Sequence, residues 1–142
     1  GPILISCGVA NIGMWSEIKQ PKWVLCWHKP AAMGRCVVGF NNWEPVLWYG
    51  GKLRTSADVF RALIEPDSSL RGHPCPKPLT WARELLKRID GELILDPFAG
   101  SGTTGAAAMR EGRKCLLIEK EPAYVEIIRN RLSEAGTLFA GV

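Results

Sequence analysis

No stretch of this sequence approaches the ~18 consecutive apolar residues of a membrane-spanning helix, and no basic-then-apolar leader opens it. The default expectation is a cytoplasmic protein with no membrane partner. The five cysteines, Cys7, Cys26, Cys36, Cys75 and Cys115, are odd in number and form no C-x-x-C. That disfavours both a zinc site and a disulfide framework. Cys7, Cys26 and Cys115 lie in apolar runs and are expected to pack as small core hydrophobes. Neither His28 nor His73 has a partner at metal-ligand spacing, so no metal is expected. Charge of one sign is not in large excess: 18 Lys and Arg against 14 Asp and Glu give +4. This balance admits a nucleic-acid partner without requiring one. Repeats and low-complexity tracts are absent. So is a first methionine: the chain opens Gly1-Pro2-Ile3 and enters an apolar strand at once, as expected of a tag scar or a piece of something longer.

What is present suffices for one globular core, with 46% hydrophobic residues in 142 and six Trp. Pro78-Leu79-Thr80 opens a helix with Ala82, Leu85, Leu86 and Ile89 at i, i+3, i+4 and i+7, and Gly91 ends it. Glu92 to Asp96 reads as a short strand, nearly continuous in apolar residues, as in a sheet covered on both faces. After a glycine-rich turn, a helix runs from Thr103 to Glu111 and stops at Gly112. Lys114 to Ile118 is a second buried strand, followed directly by Glu119. Pro122 suits the first turn of a last helix, striped by Tyr124, Ile127, Ile128, Leu132 and Ala135. The alternation predicts a βαβ unit with parallel strands. In the N-terminal half, Ile3–Cys7, Trp23–Trp27 and Pro45–Tyr49 read as strands, and Val9–Ile18 as a helix weakened by Gly13. Residues 50–72 carry turn signals and one short helix candidate, Asp58–Ile64.

The strongest chemical signal is Asp96-Pro97-Phe98-Ala99-Gly100-Ser101-Gly102-Thr103-Thr104-Gly105. Its glycines fit G-x-G-x-x-G, and Glu119 closes the next strand. Glycines let backbone approach a ligand, and the helix N-terminus offers free N–H groups and partial positive charge. An acid at the end of the second strand is placed to accept both hydroxyls of a ribose. The spacing alone would fit a dinucleotide fold. Asp96 at the mouth argues otherwise, because a carboxylate repels a pyrophosphate and favours a cation. S-adenosylmethionine carries a sulfonium, an ammonium, a ribose and only one carboxylate. A P-loop, G-x-x-x-x-G-K-[ST], is absent.

At these residues the sequence resembles the DNA amino-methyltransferases, which methylate N6 of adenine or N4 of cytosine. Residues 96–104 resemble their cofactor motif. His73-Pro74-Cys75-Pro76-Lys77-Pro78-Leu79 is similar to the His-Pro-x-x-Lys-Pro segment that precedes that motif in the circularly permuted, beta-type members. Trp27-His28-Lys29-Pro30 and Asn42 to Tyr49 are similar to the late strands of the same domain. The resemblance implies an α/β fold, a Rossmann-like class I methyltransferase sheet with helices on both faces. Residues 1–49 would be late strands of the catalytic part, 50–72 a linker or reduced target-recognition loop, and 73–142 the cofactor-binding part.

It also implies roles. The backbone around Phe98, Gly100 and Gly102, with Ser101 and Thr103, would hold the methionine end of S-adenosylmethionine. Asp96 would lie close to its amino group, Glu119 would take the ribose hydroxyls, and Lys120 and Pro122 would flank the adenine. His73, Lys77 and Pro78 would line the pocket. Lys77 reads equally as a solvated first-turn lysine and His73 as a loop histidine, while Trp27 and Trp48 read as core. DNA would be gripped at phosphates by Arg35, Lys52, Arg54, Arg61 and Arg71, each of which also reads as a solvated surface charge.

One family element is missing. The D/N/S-P-P-Y/F/W motif, which orients the target amine and stacks on a flipped base, has no counterpart, because no two prolines are adjacent. In the family order its strand sits at the centre of the sheet, between Ile3–Cys7 and Leu93–Asp96. The expectation is therefore a permuted, incomplete sheet: the C-terminal portion of a bacterial or phage enzyme, inactive alone, with the rest supplied by a missing N-terminal portion or a second polypeptide. Two other readings stand beside it. One is a nicotinamide-dependent oxidoreductase domain, resting on G-x-G-x-x-G and Glu119. The other is a non-catalytic module that binds S-adenosylmethionine, DNA or a partner subunit.

Overall fold

The computed structural model describes residues 1–30, 34–63 and 75–137, and side chains up to residue 133. The chain divides into two compact units. Gly1–Ile64 joins Lys87–Asp90 in the first, and Glu65–Leu86 joins Gly91–Val142 in the second.

The first unit is built on strands β1 (Pro2–Ser6), β2 (Trp23–His28), β5 (Trp43–Gly50) and β6 (Val59–Arg61), in the order β1-β5-β2-β6. Strand β5 is antiparallel to both neighbours, so β1 and β2 run the same way, and β6 is parallel to β2. A strand flanked on both sides is the natural place for β-branched and aliphatic residues. Accordingly Val46 and Leu47 of β5 are fully enclosed, at 0% exposure. Trp27 is likewise buried, as expected, and its indole N–H donates to the Ala62 carbonyl at 3.0 Å. Trp48 is half-buried beneath the Lys22 ammonium, 5.5 Å from the ring centre. Lys29 is buried at the end of β2 and meets Glu44 at 2.8 Å, which compensates a charge that would otherwise be costly to enclose. A short hairpin, β3 (Gly34–Cys36) and β4 (Gly39–Asn41), lies between β2 and β5.

Two expectations change here. Val9–Ile18 is not one helix: a 3-10 turn over Val9–Asn11 leads into α1 (Ile12–Ile18), and neither buries a residue. The helix expected over Asp58–Ile64 is instead strand β6. Its exposure alternates along Val59, Phe60, Arg61 and Ala62, which buries Phe60 and Ala62 and exposes the other two. Backbone bonds fix it against β2, from Cys26 N–H to the Asp58 carbonyl and from Ala62 N–H to the His28 carbonyl. The Arg88 guanidinium stacks 4.9 Å from the Phe60 ring and donates to the Ala57 carbonyl.

The second unit contains α2 (Leu79–Leu86), β7 (Leu93–Asp96), α3 (Thr103–Arg110), β8 (Lys114–Leu117) and α4 (Pro122–Thr137). Strands β7 and β8 are parallel, as the alternation required. Helix α2 buries Ala82, Leu85 and Leu86 but stops before Ile89. The backbone beyond it is held elsewhere, with the Arg88 carbonyl accepting from Arg54 N–H at 2.7 Å. Helix α3 is rich in small residues. Ala106, Ala107 and Ala108 are buried, and a β-carbon on Gly105 would lie 2.6 Å from the Leu117 side chain. This close approach covers the sheet face that carries Ile94 and Leu117. The strands were expected to be buried on both faces. Among the described residues nothing covers the other face, which leaves Leu93, Leu95, Leu116 and Ile118 exposed. Cys7, Cys26 and Cys115 are half-buried rather than enclosed.

Among the described residues β1 pairs only with β5, and β7 only with β8. The enclosure of β5 makes it the sensitive element of the first unit. Leu47→Ala should cost about 2–5 kcal/mol of stability, read as a lower denaturant midpoint at unchanged slope. A loss under 1 kcal/mol would show that the strand is not the core.

Candidate functional site

The glycine-rich turn leaves the carboxyl end of β7 and enters α3. Asp96 ends the strand, and one of its oxygens accepts from Phe98 N–H at 3.0 Å. This local bond turns the chain at Pro97 and engages a single oxygen of the carboxylate. Phe98 stands out from the protein, 89% exposed. Gly100 and Gly102 take left-handed backbone at φ +53 and +75. A β-carbon at Gly102 would also come within 3.0 Å of Ile128 on α4. Only glycine meets both demands at the start of the helix.

Glu119 follows β8 and faces this turn. One carboxylate oxygen accepts from Gly100 N–H at 2.8 Å, and the other from Glu121 N–H at 2.9 Å. The amides of Glu121 and Gly100 hold the carboxyl below its usual range against a smaller opposing effect of burial, with Lys120 assisting. An ionised carboxylate offers about four lone-pair positions, so acceptor capacity remains for a ligand. The β7–β8 ladder runs on into the turn, since Ile118 N–H donates to the Asp96 carbonyl and Ala99 N–H to the Ile118 carbonyl.

Ser101 and Thr103, expected with the turn's backbone to hold the methionine end of the ligand, are buried. The Thr103 hydroxyl donates to the Lys77 carbonyl at 2.9 Å and accepts from Arg131 Nη1 at 2.9 Å. Arg131 Nη1 also donates to the Ser101 carbonyl at 3.0 Å. The Thr103 hydroxyl and the Ser101 carbonyl thus hold the turn from its buried side. Arg131 was missed by the sequence reading. Its signal was a cation inside the apolar stripe of α4, one turn from Ile128, where a merely solvated arginine would be out of place.

The remaining residues fall as follows. Lys77 lies beside α3 through its backbone, and its ammonium sits 5.9 Å from the Trp81 ring centre, so it is not simply a solvated lysine. Pro78 is buried just before α2; Lys120 and Pro122 are exposed between β8 and α4. His73 and Arg71 lie outside the described residues. Arg35, Lys52 and Arg61 are exposed, whereas Arg54 pairs with Asp90 at 2.7 Å and belongs to the structure. Among the described residues no group of His, Cys, Asp and Glu is placed to hold a metal, and no helix is long and apolar enough to cross a membrane.

A parallel strand, a glycine turn with a carboxylate at its mouth, a helix N-terminus and a second carboxylate after the next strand are thus brought together on an α/β scaffold. The family model for N6/N4-type DNA methylases matches residues 41–130, and the chain belongs to that family. The chain is 47% identical over 66 residues to the type II methyltransferase M2.DpnII of Streptococcus pneumoniae, covering 42% of this chain and 23% of that protein. It is 45% identical over 69 residues to the DNA adenine methyltransferase YhdJ of Escherichia coli, covering 44% and 22%. It thus spans about a quarter of these relatives' length. Among solved structures, the M1.HpyAVI complex with S-adenosylmethionine superposes with a TM-score of 0.75 at 25% identity, over 93% of this chain and 74% of that one. The cytosine-N4-specific PvuII methyltransferase gives 0.79 at 17% identity, over 92% and 63%. The fold is that of the class I methyltransferases.

Two outcomes follow from the geometry. Because the Glu119 carboxyl is held low, its bond to Gly100 contributes stability above the unfolded pKa of about 4.3, and that contribution is lost as pH falls through the lower folded value. The Gly100 amide resonance should therefore titrate with a midpoint below 4.3; a midpoint at or above it would remove the bond from the account. Arg131→Ala should destabilise the second unit by about 1–3 kcal/mol, measured by thermal unfolding, with Arg131→Lys recovering part of the loss.

Proposed function

We propose that this chain binds S-adenosylmethionine and serves a DNA methyltransferase that transfers the methyl group to the exocyclic amine of adenine or cytosine. The observation that carries the reading is Glu119, fixed between two backbone amides beside the glycine turn with acceptor capacity to spare for a pair of ribose hydroxyls. The donor set fits the rest of such a ligand. Asp96 keeps one oxygen for an ammonium, and the turn's backbone and the α3 N-terminus suit a carboxylate. Lys120 and Pro122 would border the adenine, with Lys77, Pro78 and His73 along the neighbouring segment. Phe98 is exposed at the mouth, positioned to cover a bound molecule and exclude water from it. Ser101 and Thr103 contribute by holding the turn.

When bound, S-adenosylmethionine supplies an electrophilic methyl group on a sulfonium. Two carboxylates around the site favour that positive charge and disfavour a pyrophosphate, which supports this ligand over a nicotinamide dinucleotide. The base-orienting D/N/S-P-P-Y/F/W motif is not among these 142 residues. It would be contributed by the remainder of the enzyme or by a second subunit, acting on DNA in the cytoplasm of a bacterial or phage-infected cell. Arg35, Lys52 and Arg61 are the exposed cations suited to phosphates.

Calorimetric titration tests the reading directly. S-adenosylmethionine should bind saturably to the wild-type chain, NAD should give no heat, and Glu119→Ala should weaken binding by at least about tenfold, the loss of hydrogen bonds to a charged group. A chain that melts cooperatively yet gives no heat with S-adenosylmethionine would overturn the assignment.

A further inference from the structure

We propose that the β3–β4 hairpin is a DNA contact, with Val37 and Val38 touching base edges in a groove and Arg35 taking a phosphate. This rests on the DNA substrate proposed above and adds the surface that meets it.

The last pair of the hairpin is Cys36 with Gly39, which leaves Val37 and Val38 as a two-residue turn. Among the described residues they are the most exposed of the large hydrophobics, at 106% and 94%. Two-residue turns ordinarily hold Gly, Asn or Asp, and valine suits neither the turn nor the solvent. Gly39, at φ +124, absorbs the conformational demand and leaves both corners to valine. Behind the tip, Arg35 lies opposite Phe40 in register, and both are exposed. Residues 34–42 carry Arg35 and no carboxylate.

The hairpin's position points to the same partner. Strands β1, β2 and β6 run in one direction, so their carboxyl ends share one edge of the sheet. Open α/β sheets bind ligands at that edge. The hairpin begins beyond the carboxyl end of β2 and is rooted there, with Lys29 N–H donating to the Asn42 carbonyl at 2.6 Å. A two-stranded ribbon fits the DNA major groove, where apolar side chains meet thymine methyl groups. A second copy of the chain fits less well. A stable dimer buries about 800 Å² per partner, and two valines present only a small part of that.

The test is DNA binding by the wild-type chain, Arg35→Ala and the double variant Val37→Ser/Val38→Ser, followed by fluorescence anisotropy over a salt series. The double variant should lose about tenfold in affinity at every salt concentration with the slope unchanged, because its contribution is apolar. Arg35→Ala should reduce the slope of log K against log salt by about 0.9, one phosphate contact. Both should melt like the wild type. A double variant that binds as tightly as the wild type overturns the hairpin assignment and leaves the DNA reading intact. A folded wild type with no affinity for DNA overturns the DNA reading and the assignment with it. Self-association of the wild type in sedimentation, abolished in the double variant, would give the tip to a second copy and also overturn the proposal.

Discussion

Both oxygens of the Glu119 carboxylate are held by backbone amides, Gly100 on the turn after β7 and Glu121 on the turn after β8. The site depends on this bridge. It ties the two strand ends together at the point where the paired strands give way to loops, and it fixes the acid's direction. Arg131 and Thr103 secure the same turn from its buried side and connect it to α4 and to the segment before α2. A turn with two left-handed glycines would otherwise carry a large conformational entropy. Support from both sides leaves Asp96, Phe98 and the turn's outer backbone facing outward in a preset arrangement.

The βαβ unit was readable because its signals are local. Strand, glycine turn, helix and distal acid occur in order, and each is decided within a few residues. The enclosed Trp27 was readable for the same reason. What escaped the sequence depended on contacts far along the chain. Strand β6 carries an alternating Val59–Ala62 pattern, but it lies among turn-forming residues and becomes a strand only by pairing with β2. Helix α2 stops at Leu86, and the Arg88 carbonyl beyond it accepts from Arg54 N–H, far earlier in the chain. Arg131, which holds the Ser101 carbonyl and the Thr103 hydroxyl, lies near the end of the chain, far from the motif. The exposed Leu93, Leu95, Leu116 and Ile118 have the composition of strands covered on both faces, and composition alone does not say what provides the second cover.

A nicotinamide dinucleotide and S-adenosylmethionine can both be held by one backbone motif. Glycine turns and helix N-termini accept any anionic tail, so the spacing of Gly100, Gly102 and Gly105 does not choose between them. In the reading proposed above the choice falls to Asp96, whose carboxylate at the turn would repel a pyrophosphate.

The cysteines divide by reactivity along the same lines as the structure. Burial raises the Cys115 thiol to about 11, with the Asp96 charge adding to the effect. Burial likewise raises Cys7 and Cys26, reinforced by Glu44 and Asp58. Thiol reagents attack the thiolate, so these three react slowly at neutral pH. Cys36 and Cys75 are exposed. Cys36 ends β3, beside the valine turn, so a maleimide dye would mark the tip of the hairpin in the native sequence, with Cys75→Ser removing the other accessible thiol.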